Sequence, residues 1–251
     1  MKENVLSLPR DLCLGTLDTL IDRAGLKEVA GADGGPAMTL SSTMGPDPVG
    51  SVRIFTGDKV AKAVYVGIVV PQIGLDSHMV FAFMPADSPV PHFTLDSVGA
   101  GGYHAFHLDL IQRVDNATHM VYNDWAHTPL TETFTQVGEM EGLTKANLEP
   151  RQTSVMSPWM LASRASEEAF GHLGGPVGRL LDHWFSLVDN DVPAEVIADV
   201  ADTDLAVRDD RNRRLLFSPD VDKVWAQISR LITEPVAESI RKQAVTNEVS
   251  A

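Results

Sequence analysis

The chain is poor in cysteine, in basic residues and in long apolar runs. A single cysteine, Cys13, occurs among 251 residues. That excludes an intramolecular disulfide and any iron–sulfur or structural metal site built from several thiolates. It also fits a reducing, cytoplasmic compartment. Bases number 20 against 34 acids, a formal charge of −14. Such a balance disfavours non-specific binding to nucleic acid or to an anionic membrane. The longest apolar stretch, residues 63–70, is interrupted by Gly67 and ended by Pro71. It falls well short of the roughly 18 residues needed to span a bilayer. Residues 1–10 open with Lys2 and Glu3 and lack the apolar core of a signal peptide. Several motifs are missing as well: a G-x-G-x-x-G between strand and helix, a Walker A loop, a G-x-S-x-G elbow and an H-E-x-x-H helix. Gly99-Ala100-Gly101-Gly102 joins two strand-like segments, so it is expected to turn a hairpin rather than cradle phosphate.

What is present is an ordinary globular composition, 44% hydrophobic and 22% charged. Residues 1–50 are expected to hold one amphipathic helix, with Leu14, Leu17, Leu20, Ile21 and Leu26 at helical spacing, followed by a Gly- and Pro-rich loop over 31–50. The segment 51–115 alternates with a period of two. It predicts five strands, near 51–56, 63–70, 78–84, 92–98 and 104–111, whose short connections favour an antiparallel meander. From 157 the pattern changes. A strand or turn leads into helices over 176–188, 192–217 and 221–232, and from Pro235 onward, before a fraying tail at 247–251. The expected fold is a single α+β domain over 1–251. Its parts are a helix and loop at 1–50, an antiparallel sheet at 51–115 and a mainly helical region with a sheet-completing segment at 157–245.

One block concentrates chemistry. In Pro91-His92-Phe93-Thr94-Leu95-Asp96, strand alternation puts His92, Thr94 and Asp96 on one face and Phe93 and Leu95 on the other. A carboxyl on a covered apolar face resists ionisation, which suits a proton donor. The plainer alternative is a strand-end acid capping the turn that follows. His107 and Asp109 share a face on the next strand and are expected to pair with each other.

The order of these motifs resembles the ferredoxin-dependent bilin reductases and red chlorophyll catabolite reductase. The likeness rests on Phe83-Met84-Pro85, then the 91–96 block, then His107-Leu108-Asp109-Leu110-Ile111-Gln112-Arg113. Arg53-Ile54-Phe55-Thr56-Gly57-Asp58-Lys59, Met156-Ser157-Pro158 and the charged run Asp209-Asp210-Arg211-Asn212-Arg213-Arg214 add to it. The resemblance spans residues 50–230. It implies an α/β/α sandwich with a central, mainly antiparallel sheet flanked by helices. It implies a linear tetrapyrrole held between the sheet and the C-terminal helices, no bound metal or flavin, and electrons from external reduced ferredoxin. By the same resemblance, Asp96 is the central acid on the sheet, Asp210 the acid on the facing helix, and Arg211 the base that meets a propionate. Arg214 is a further propionate candidate, and Arg164 falls one residue from an arginine of that kind. His92 is a candidate proton relay. The histidine expected on the strand before Asp96 is replaced by Val80, with His78 two residues earlier as a possible substitute on the same face.

Two other functions remain open on the residues alone. One is a tetrapyrrole-binding protein without catalysis, kept open by Val80. The other is a metal-dependent enzyme using His92, Asp96, His107 and Asp109 as ligands.

Overall fold

The computed structural model describes residues 7–249. Along the chain, α1 (Leu8–Ala24) precedes seven strands: β1 (Lys27–Val29), β2 (Met38–Ser41), β3 (Pro48–Thr56), β4 (Lys62–Val70), β5 (Leu75–Phe83), β6 (His92–Ala100) and β7 (Tyr103–Ile111). Then come α2 (Met120–Ala126), α3 (Thr131–Gly138), β8 (Leu143–Lys145), α4 (Pro150–Thr153), β9 (Leu161–Ala165), α5 (Glu167–Gly171) and α6 (Gly174–Asp189). The chain closes with α7 (Ala194–Asp199), α8 (Leu205–Leu216), α9 (Val224–Ile232) and α10 (Glu234–Val245).

Local chemistry explains the boundaries. Ser7 caps α1 by accepting from the Arg10 N–H, Pro9 sits in the first turn, and Gly25 ends the helix at φ 62°. Gly101 and Gly102 take φ of 55° and 86°, the two left-handed positions that a tight β6–β7 hairpin requires. The sheet order is β1-β3-β4-β5-β6-β7-β9-β8, with β2 also on β3. All pairings among the described residues are antiparallel, and β3 to β7 form the expected meander.

Both faces of the sheet are covered, which makes a sandwich. On one face Phe55, Val80, Phe93, Leu95 and Leu108 pack with Leu17 and Leu20 of α1 and with Leu180, Leu181 and Trp184 of α6. Trp184 is fully buried and donates its indole N–H to the Pro91 carbonyl at 2.8 Å. Burying an indole of this size contributes about 4–6 kcal/mol before entropy is counted. On the other face Ile54, Val64, Val66, Phe81 and Phe83 meet Leu216, Trp225, Ile228 and Ile240 from α8, α9 and α10.

Some expectations needed correction. The 31–50 loop contains β2 and the start of β3. The helix expected over 192–217 is two, α7 and α8. Asp202-Thr203-Asp204 turns the chain between them, and Asp204 caps α8 by accepting from the Val207 N–H. Residues 247–248 do not fray: Asn247 donates to the Met84 carbonyl and the Glu248 carbonyl accepts from Lys62. The first six residues and the last two lie outside the described part. No helix of the described residues is long and apolar enough to cross a membrane.

Candidate active site

The C-terminal helical layer does not rest flat on the sheet. Between β4–β7 and β9 on one side and α8 to α9 on the other lies a cavity of about 420 Å³, with the 146–156 segment as a third wall. That volume is within the range of small-molecule sites. Met79, Phe81 and Ile111 line the sheet side; Phe217, Trp225 and Ile228 line the helix side. Thr94, Asp96, His107 and Asp222 are among the polar groups that line this chamber.

Strand register brings the central pair together. Asp96 on β6 lies opposite His107 on β7 and opposite Met79 on β5. Directly opposed residues share a face. His107 Nδ1 is 3.6 Å from Asp96 Oδ2, an ion-pair distance rather than a hydrogen bond. Thr94 Oγ1, Asp96 Oδ1 and His107 Nε2 are buried without a hydrogen-bond partner within the described protein. Burial opposes charge on His107, but the pairing with Asp96, helped by Asp109 and Asp222, outweighs it and raises the imidazole's pKa. Asp222, at the start of α9, has its carboxyl pushed up by burial and further by the Asp96 charge, although it accepts from the Val224 N–H. An imidazole that favours its proton and a carboxyl that resists ionisation therefore face one apolar chamber beside Asp96. These are the groups that general acid catalysis uses.

The remaining candidates are scattered, each for a physical reason. His92 shares the Asp96 face but lies outside the chamber. Its Nδ1 accepts from the Met84 N–H at 3.0 Å, so its Nε2–H donates to Asp209 at 2.6 Å. Burial and the Arg113 charge push its pKa down to about 3, which leaves the ring neutral. Asp210 points outward from α8 and pairs with Arg214, also exposed, at 2.7 Å. Its neighbour Asp209, a hundred degrees around the helix, is the acid turned inward. Arg211 is exposed on the same outer face. Arg164 lies opposite Ala105, on the chamber face, with its guanidinium 4.9 Å from the ring of Tyr103, which lines the cavity.

His78 does share the face of Val80, but that is the opposite face of the sheet, beneath α1. There His78 donates to Asp76 and accepts from the Tyr65 hydroxyl, both at 2.7 Å. Because Met79 is the residue opposite Asp96, the identity of position 80 has no bearing on the chamber. Asp109 does not pair with His107. It is buried and accepts from the Ser157 N–H and hydroxyl, which tethers the 146–156 wall. The proposed metal quartet also separates, since the His92 ring is committed elsewhere. Among the described residues no group of three His, Cys, Asp or Glu is placed to hold a metal ion.

Asp222 and the Asp96–His107 partnership escaped the sequence pattern. Asp222 looks like an ordinary acid at a helix start, and the cross-strand pairing depends on register. A hairpin register counted back from Gly101-Gly102 would have found the second, since Ala100 opposite Tyr103 places Asp96 opposite His107.

No protein-family model matches the sequence, and no curated protein matches it. Among solved structures it is similar to phytochromobilin synthase from tomato, solved in complex with biliverdin, with a TM-score of 0.72 and 16% sequence identity. The match covers 95% of this chain and 82% of that one. The chain thus has the fold of phytochromobilin synthase, the architecture implied by its resemblance to the bilin-reductase superfamily.

Proposed function

We propose that the chain is a bilin-reductase-like oxidoreductase that binds a linear tetrapyrrole, a bilin or a chlorophyll catabolite, in this chamber and reduces it. The observation that carries the proposal is the Asp96–His107 pair opening into an apolar chamber at the sheet–helix interface. The likeness of fold to a synthase solved with biliverdin supports it. A flat, conjugated ligand would gain apolar contact from Met79 and Ile111 on the sheet side and from Trp225 and Ile228 on the helix side. Arg164 at the rim supplies the charge for a propionate. Arg211, exposed on α8, is free to steer an anionic donor toward the chain.

Reducing one double bond takes two electrons and two protons. The electrons arrive singly from an external reduced ferredoxin. The Asp96–His107 pair delivers one proton, and Asp222 supplies the second from the facing helix. His92, Asp210 and Arg214 have no part in this chemistry.

Titration with biliverdin tests the proposal. Binding should shift and narrow the visible absorption, and adding a reduced ferredoxin system should then bleach or shift it progressively. The Asp96→Asn protein should keep the first change and lose the second. Absence of any spectral change on titration overturns the proposal. Binding without reduction reduces the chain to a tetrapyrrole carrier.

A further inference from the structure

Lys62, on β4, is fully buried, yet among the described residues it forms no ion pair with a carboxylate side chain. Its ammonium donates to the Gln243 side chain at 2.9 Å, the Glu248 carbonyl at 2.8 Å and the Thr246 carbonyl at 3.3 Å. All three acceptors belong to the end of α10 and the residues after it. A second cation holds the same segment. Arg213 of α8 donates to the Ala244 carbonyl at 2.8 Å and to Asn247 Oδ1 at 2.7 Å. Asn247 also donates to the Met84 carbonyl at 3.0 Å, which ties the segment to the end of β5. Capping carbonyls at a helix C-terminus with cations is favourable. Burying an ammonium for that purpose is costly, however, and one exposed side chain would serve the cap.

The segment has a second connection. Arg241, one turn earlier on α10, donates to the Phe217 carbonyl at 2.7 Å. Phe217 is a wall of the chamber and stacks edge-on against Phe81 at 5.2 Å. The clamp on α10 is therefore linked through one helical turn to the chamber's helix-side wall.

We propose that residues 246–248 are a strap: clamped by Lys62 and bridged by Asn247, they seat α10 and thereby hold the Phe217 wall, so that undoing the strap opens the chamber. Lys62 and Asn247 are positioning residues on this account. The inference concerns the wall itself and does not depend on which ligand the chamber takes.

Hydrogen exchange of the ligand-free protein tests it, with Lys62→Met and Asn247→Ala as the variants. Both should raise exchange about tenfold at 246–248 and again at 214–218, while the urea midpoint of the whole protein stays near wild type. Biliverdin, where it binds, should dissociate about tenfold faster from both. If 246–248 loosen but 214–218 keep wild-type protection, the segment is only a helix cap and the inference falls. It falls equally if 246–248 stay protected in both variants. Should Lys62→Met lower the urea midpoint of the whole protein, Asn247→Ala, which removes no buried charge, decides. A protein that fails to bind biliverdin would refute the proposed function and leave the exchange result standing.

Discussion

Replacing Asp209 by asparagine should cost the protein a large share of its stability. Asp209 is the single acid among three buried bases: His92 at 2.6 Å, Arg213 at 3.5 Å and Arg113 at 3.6 Å. Burial alone would raise its pKa, but the His92 hydrogen bond and the two guanidiniums reverse this and hold it down at about 2. Asparagine has nearly the same shape, and its amide oxygen still accepts from His92. What disappears is the counter-charge for two arginines whose side chains are 1% and 2% exposed. Neither can shed its proton. Their remaining bonds to backbone carbonyls, such as Arg113 to Ala86 and Arg213 to Ala244, hold them in place without neutralising them. Removing one partner from a buried ionic network costs about 3–5 kcal/mol. Native stability is about 5–15 kcal/mol. With a urea slope of about 2–3 kcal/mol per molar, the midpoint should fall by roughly 1–2.5 M. Tryptophan fluorescence during urea unfolding reads this directly, because Trp184 and Trp225 are buried in the two cores. A loss below about 1 kcal/mol would mean that the network is not tied together by its charge, and the reasoning would be wrong.

The same site makes a pH prediction. The His92 pKa is lowered from 6.5 to about 3 in the fold, so the unfolded chain takes up this proton first as pH falls. The stability this group confers is complete above about pH 6.5 and is lost progressively toward pH 3, by up to about 5 kcal/mol. His92→Gln should flatten urea midpoints measured between pH 7 and pH 4.5, and an unchanged slope would exclude His92 as the source. Gly67→Ala places a methyl 2.7 Å from the Tyr65 hydroxyl oxygen and 3.2 Å from His78 Nδ1. It should cost about 1–3 kcal/mol by crowding that hydrogen bond, and a melting temperature equal to wild type would refute this. Arg164→Ala should weaken biliverdin binding about tenfold but leave the dimethyl ester unaffected. Equal weakening of both ligands would remove Arg164 from propionate recognition.

Much of the sheet was legible because its strands carry their own signal. The period of two over 51–115 and the glycines at 101–102 place five strands and their order, and the observed β3 to β7 agree within three residues at each end. The short strands β1, β2 and β8 carry no such signal, and β9 shows only as the strand or turn expected after 157. Three to five residues cannot display a period, and such strands form only because a longer neighbour offers unpaired backbone groups. The break between α7 and α8 is not legible in the pattern, because the short turn at Asp202-Thr203-Asp204 lies between two stretches of helical periodicity.

The site divides along the same line. Alternation along β6 assigned Asp96 to a face, and nothing beyond local geometry was needed for that. Which helices cover the face, and how closely, is a matter of packing between residues more than a hundred positions apart. That packing puts Asp222 into the chamber and Asp210 into solvent. It gives His92 to Asp209 and His107 to Asp96, and it turns His78 and Val80 toward α1. The five long strands, the β6–β7 hairpin and the alternation of faces along each strand follow from backbone sterics over a few neighbours, so the residues alone reveal them. Which acids and bases meet is a property of the packed molecule, because a charge finds its partner through the register of strands and the rotation of helices docked from far along the chain.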